Sequence, residues 1–169
     1  MFEHDYTLTG KHATYVKFFK DEAKLYERYI DVYMNAAVFG LLYNRCAPID
    51  SESKDRARIY ADAFSTCRSD CVMLYRLVML LEKKTDLDAE SRVDRAFRDD
   101  ADDRSPEKVS ANMALFHGFV RGGIEVMYEI FIEGCHSSDD YLERAMEAME
   151  DFRDDLRGSS LDEKLATLI

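Results

Sequence analysis

Four stretches of this chain carry apolar residues at alternating steps of three and four, with polar residues between them. The first series is Leu25, Tyr29, Val32, Ala36, Phe39 and Tyr43. The second is Tyr60, Phe64, Cys67, Cys71, Leu74, Val78 and Leu81. Val109, Met113, Phe116, Val120, Gly123, Met127 and Ile130 make the third, and Leu142, Ala145, Met149, Phe152 and Leu156 the fourth. Because an α-helix turns once per 3.6 residues, each series lines one helical face, and water drives such a face against a matching one. The pattern predicts an all-α fold: a single-domain antiparallel bundle of about four long helices over residues 1–158.

Local signals set the expected boundaries. Residues 1–20 read as an N-terminal helical arm, starting near Thr7 and Thr9 and running through Tyr15, Phe18 and Phe19. The first long helix is expected from Asp21 to Asn44, closed by Cys46-Ala47-Pro48, since the residue before a proline avoids helical geometry. A second is expected from Ser53 to Lys84. One short connector helix follows, capped at Asp88 and carrying Val93, Ala96 and Phe97. Ser105-Pro106-Glu107 combines an N-cap, a proline at the first helical position and an acid in the first turn, so a third helix should start there and reach Glu133. Its width of apolar surface marks it as central, and Gly122-Gly123 within it signals close packing or a bend. Gly134 ends it, Ser137 or Ser138 caps the fourth, and Gly158 closes that helix. Residues 159–169 form a short C-terminal tail, flexible or partner-docking, with Leu161, Leu165 and Leu168 on one side.

Composition narrows the function. The chain has 34 acidic and 23 basic residues, a net charge of −11, which disfavours direct nucleic-acid binding and anionic membranes. Lys54, Arg56 and Arg58 are close together but interleaved with Asp55. No signal-peptide pattern and no long apolar run occurs, and four cysteines are too sparse for a secreted disulfide scaffold, so a cytoplasmic protein with reduced thiols is expected.

Chemistry is weakly written. Glu133-Gly134-Cys135-His136 has the Glu-x-x-His spacing of di-metal bundles, but it falls at a helix end and occurs once. Cys67 and Cys71 share a helical face and read as core. Asp99, Asp100, Asp102 and Asp103 lack the ligand alternation of a calcium loop. His117 lies among aromatics in the central helix and is the one histidine with some catalytic interest. Phosphate-loop, dinucleotide, nucleophile-elbow and zinc-protease motifs are absent from the sequence. No metal and no cofactor is expected.

The leading expectation is therefore a non-enzymatic interaction, adaptor or regulatory subunit with a protein partner. Its docking residues would be Tyr26, Tyr29, Tyr33 and Tyr43 on the first long helix and Leu161, Leu165 and Leu168 in the tail. A homodimer joined through the second or third helix is compatible with it. Two alternatives stand beside it: an acidic accessory or inhibitor in a nucleic-acid-handling system, such as phage or anti-phage defence, and a bundle enzyme with a core pocket.

Overall fold

A computed structural model describes residues 1–99 and 106–158. The order of elements is β1 (Tyr6–Thr9), α1 (Gly10–Lys17), α2 (Tyr29–Leu42), β2 (Arg56–Ile59), α3 (Ala61–Thr66), α4 (Arg68–Leu81), α5 (Ala89–Phe97), α6 (Pro106–Phe131) and α7 (Ser138–Gly158). Among the described residues the fold is predominantly helical, one domain, with four long helices as the periodicity predicts.

Helix α6 is central, and α2 crosses it at backbone contact. A β-carbon on Gly123 would lie 2.7 Å from the Gly40 amide nitrogen and would overlap the Ala36 carbonyl; one on Gly40 would overlap the Phe119 carbonyl. The glycines therefore serve close packing, and α6 runs unbroken through them. Around this seam Tyr33, Phe64, Tyr75 and Phe116 are fully buried and meet edge to face, with ring centroids 5.3 to 6.0 Å apart.

Three local expectations are corrected. Residues Tyr6–Thr9 are not helical but pair antiparallel with Arg56–Ile59, Tyr6 opposite Ile59 and Thr9 opposite Arg56. The second strand alternates exposed arginines with buried Ala57 and Ile59, so the long helix expected from Ser53 is divided into β2, α3 and α4. The helix expected from Asp21 starts only at Tyr29. After α1 the chain makes a π-helical turn over Phe18–Glu22, and Lys24 takes a left-handed conformation at φ 56° that no continuous helix accommodates.

Other boundaries fall where local signals put them. The Asp88 carboxylate accepts from the Ser91 amide at 2.7 Å and caps α5. Ser137 Oγ accepts from the Asp140 amide, while the Asp140 carboxylate accepts from the amides of His136 and Ser137 at 2.9 Å, a reciprocal cap on α7. Between α4 and α5 the fully buried Glu82 carboxylate binds Arg95 at 2.7 Å, and Arg92 donates to the carbonyls of Glu82 and Thr85, which clamps the connector. No described helix is long and apolar enough to cross a membrane.

Candidate functional site

The strongest polar constellation in the described chain lies where α1 meets α6. Glu125 on α6 is largely buried and accepts from Lys11 Nζ at 2.9 Å, Arg45 at 3.0 Å and His12 Nε2 at 3.0 Å. Burial alone would raise its pKa, but the hydrogen bonds from Lys11 and His12 outweigh that and hold the carboxyl below the usual range. Burial lowers the pKa of His12, with Glu125 opposing, so the ring is neutral and donates from Nε2. Asp50 sits at the foot of α1, accepting from the Lys11 amide at 2.6 Å and the Glu52 amide at 3.0 Å. Lys11, His12, Asp50, Glu52 and Glu125, with Pro48 and Ile49, line a cavity of about 330 Å³. The resemblance to a catalytic acid–base pair ends at access: His12 is 1% exposed, and its Nδ1 is buried without a hydrogen-bond partner among the described residues. A general base must reach the proton it removes. The cluster ties α1 and the 45–52 loop to α6 through charges already mutually satisfied. Sequence reasoning missed it because His12 and Glu125 are 113 positions apart.

His117 is packed flat on Tyr6 at a centroid distance of 3.9 Å, and burial pushes its pKa down to about 4. Nearby Arg121 donates to the Tyr6 hydroxyl at 3.2 Å and to the Ala47 and Pro48 carbonyls. Glu133 and His136 are exposed loop residues, and no group of three potential metal ligands assembles among the described residues. Cys67 and Cys71 are buried free thiols, Cys71 pushed up to about 12 by burial. Asp99 is held by Asn112 at 3.0 Å and Lys108 at 3.6 Å; its neighbours Asp100 to Asp103 lie outside the described residues.

The tyrosines expected at an interface do not form one surface. Tyr33 is fully buried and belongs to the core, a correction that follows from the second face of α2 being covered by β1 and α3. Tyr26 is half-buried against Phe19 and raised to about 12 by burial, Tyr29 is half-buried beneath Lys20, and Tyr43 is exposed. Leu161, Leu165 and Leu168 lie outside the described residues.

Two other surfaces are apolar and open. Helix α7 meets the core with Tyr141, Ala145 and Ala148, turning Leu142 (55% exposed), Met146 (52%), Met149 (62%) and Phe152 (49%) outward. Leu142, Met149 and Phe152 of the fourth apolar series thus lie outside the core, while Ala145 packs against it. Glu143, Glu147 and Glu150 run beside the exposed stripe. The second surface is a groove of about 730 Å³ along α4, floored by Val72, Met73, Leu77, Leu80 and Phe97 and edged by Arg68 and Arg76.

Comparison with family models, curated proteins and solved structures finds no match to this chain.

Proposed function

We propose that this protein is a non-enzymatic interaction subunit that docks a helical protein partner on the outer face of α7. The reading is carried by Leu142, Met146, Met149 and Phe152, a continuous stripe about half exposed on a helix whose other side is already packed. Methionine suits such a surface because its flexible thioether adapts to different shapes. Sealing four half-exposed large side chains would stabilise a complex by roughly 3–6 kcal/mol, taking half of the 1.5–3 kcal/mol typical of full burial. Association itself costs about 4–15 kcal/mol. One stripe is therefore insufficient, and the α4 groove supplies a second apolar surface of the same kind. The acidic edge of α7 favours a partner with cationic side chains flanking its apolar ones.

The test is a fluorescence titration with a synthetic amphipathic helix of leucine and lysine, and with a leucine–glutamate helix as control. Saturable binding of the basic helix, lost in Met146→Glu, supports the reading. Equal response to both helices, or binding indifferent to Met146→Glu, overturns it.

A second reading, an acidic accessory of a nucleic-acid-handling protein, draws on the same helix: Asp139, Glu143, Glu147 and Glu150 form an exposed acidic ladder at roughly 5–6 Å per step. Against it, Lys17–Asp55 and Arg58–Asp5 pairs give the β2 side mixed charge. Competition between this protein and DNA for a basic DNA-binding surface would support it, and its absence at low salt would sink it.

A further inference from the structure

The docking reading leaves the occupant of the α7 stripe unnamed, and the inference here rests on that reading. We propose that the occupant is a second copy of this chain: α7 of one protomer lies in the α4–α5 groove of the other, and the exchange is repeated about a two-fold axis.

Three observations make the two surfaces counterparts. Their lengths agree. The stripe from Leu142 to Phe152 spans roughly 15 Å of helix, and the groove from Arg68 to Leu80 roughly 18 Å. Their charges are opposite and similarly spaced: Glu143 and Glu150 stand about 10 Å apart along α7, and Arg68 and Arg76 about 12 Å apart along α4.

The third observation concerns Arg76. Its guanidinium lies over the Phe97 ring at 5.0 Å, and its Nε is buried without a hydrogen-bond partner among the described residues. An incoming carboxylate from Glu150 gives that arginine the charged partner it lacks among the described residues. Arg68 is already shared with Glu3 at 2.9 Å, so Arg76 is the residue that selects the acidic helix.

Reciprocal exchange also accounts for both surfaces at once. Each chain carries this stripe and this groove, so a closed two-fold pair covers both on each protomer and leaves neither open to extend a chain of molecules.

Charge reversal tests this on the full chain by sedimentation velocity. The wild type is expected to move from monomer toward twice its 19.6 kDa mass as concentration rises to about 100 µM. Arg76→Glu and Glu150→Arg, each on an exposed or groove-edge position, are expected to stay monomeric alone, because each homodimer would place like charges together twice. Their equimolar mixture is expected to dimerise, because in the mixed pair the reversed helix meets the reversed groove and the native helix meets the native groove. Circular dichroism melts establish that both variants are folded. Should one fail to fold, Met146→Glu and Leu77→Glu serve in its place, each expected to abolish the wild-type dimer. A wild type that remains monomeric, or a mixture no more associated than its components, overturns the proposal. A monomer that still binds the leucine–lysine helix leaves the docking reading standing and removes only self-pairing; a monomer that binds no helix removes both.

Discussion

Gly123 of α6 faces the Ala36 carbonyl of α2 with no room between them for a side chain, and its would-be β-carbon also meets the Gly40 amide at 2.7 Å. The obstruction is backbone on both counts, so it cannot be relieved by a rotamer change. Gly123→Ala should therefore force α2 and α6 apart along their whole seam and cost at least about 3 kcal/mol, the upper range for overpacking. Urea titration checks this; a loss below about 1 kcal/mol would mean that the seam is looser than described.

Burial makes His117 a source of pH dependence. Its folded pKa of about 4 lies below the unfolded value of about 6.5, so below pH 6.5 the unfolded chain takes up a proton that the folded chain refuses. The associated stability is fully present above pH 6.5 and falls as pH drops toward 4, by up to about 3 kcal/mol in all. His12 is lowered in the same direction. His117→Phe, which keeps the stack on Tyr6, should flatten this part of the stability–pH curve; an unchanged curve would contradict the assignment.

The Glu82–Arg95 pair gives a prediction with an internal control. Both side chains are buried, and Arg95 also donates to the Met79 carbonyl. Glu82→Gln leaves Arg95 buried without its counter-charge and should cost about 3–5 kcal/mol, whereas adding Arg95→Met should recover part of the loss. A double-mutant cycle read by denaturant melts checks this, and strict additivity would contradict it.

How much of this was legible in sequence depended on range. The starts of α5, α6 and α7 are local events, written in Asp88, in Pro106 with Glu107, and in Ser137 with Asp140, and a short window contains everything that determines them. The strand pair is different: Arg56–Ile59 has a two-residue alternation, but it becomes a strand only because Tyr6–Thr9, nearly fifty positions earlier, supplies its partner. The Glu125 cluster is less legible still, since nothing in the spacing of Lys11, His12, Arg45 and Glu125 brings them together before α2 packs on α6. Periodicity has a further limit seen at α7. It reports that a helix has an apolar face and says nothing of which molecule covers that face, so the Leu142–Phe152 series looks in sequence like a fourth wall of the core. Tyr33 shows the converse, an amphipathic ring suited to an interface that β1 and α3 enclose.

Thiol accessibility separates the four cysteines. Cys46 is exposed and Cys135 partly so, while Cys71 is buried with a pKa near 12 and Cys67 is buried beside it. Reaction with a thiol reagent at pH 8 should label Cys46 first, then Cys135, and leave Cys67 and Cys71 unmodified until the chain unfolds. Early labelling of Cys71, read by peptide mass, would show that the α3–α4 junction opens in the native protein.

The central claim, that the outer face of α7 is a docking surface and not an ordinary wet helix side, is tested most directly through methionine methyl resonances. Met146 and Met149 on α7 and Met73 in the groove are exposed, whereas Met79 and Met127 are fully buried. In a concentration series of the ¹³C-methyl-labelled full chain, followed by addition of the leucine–lysine helix, the account predicts that the Met146 and Met149 signals shift while those of Met79 and Met127 hold still. Met73 should move with them in the concentration series if the occupant is a second copy. Signals from Met146 and Met149 that stay fixed under both additions would contradict the account.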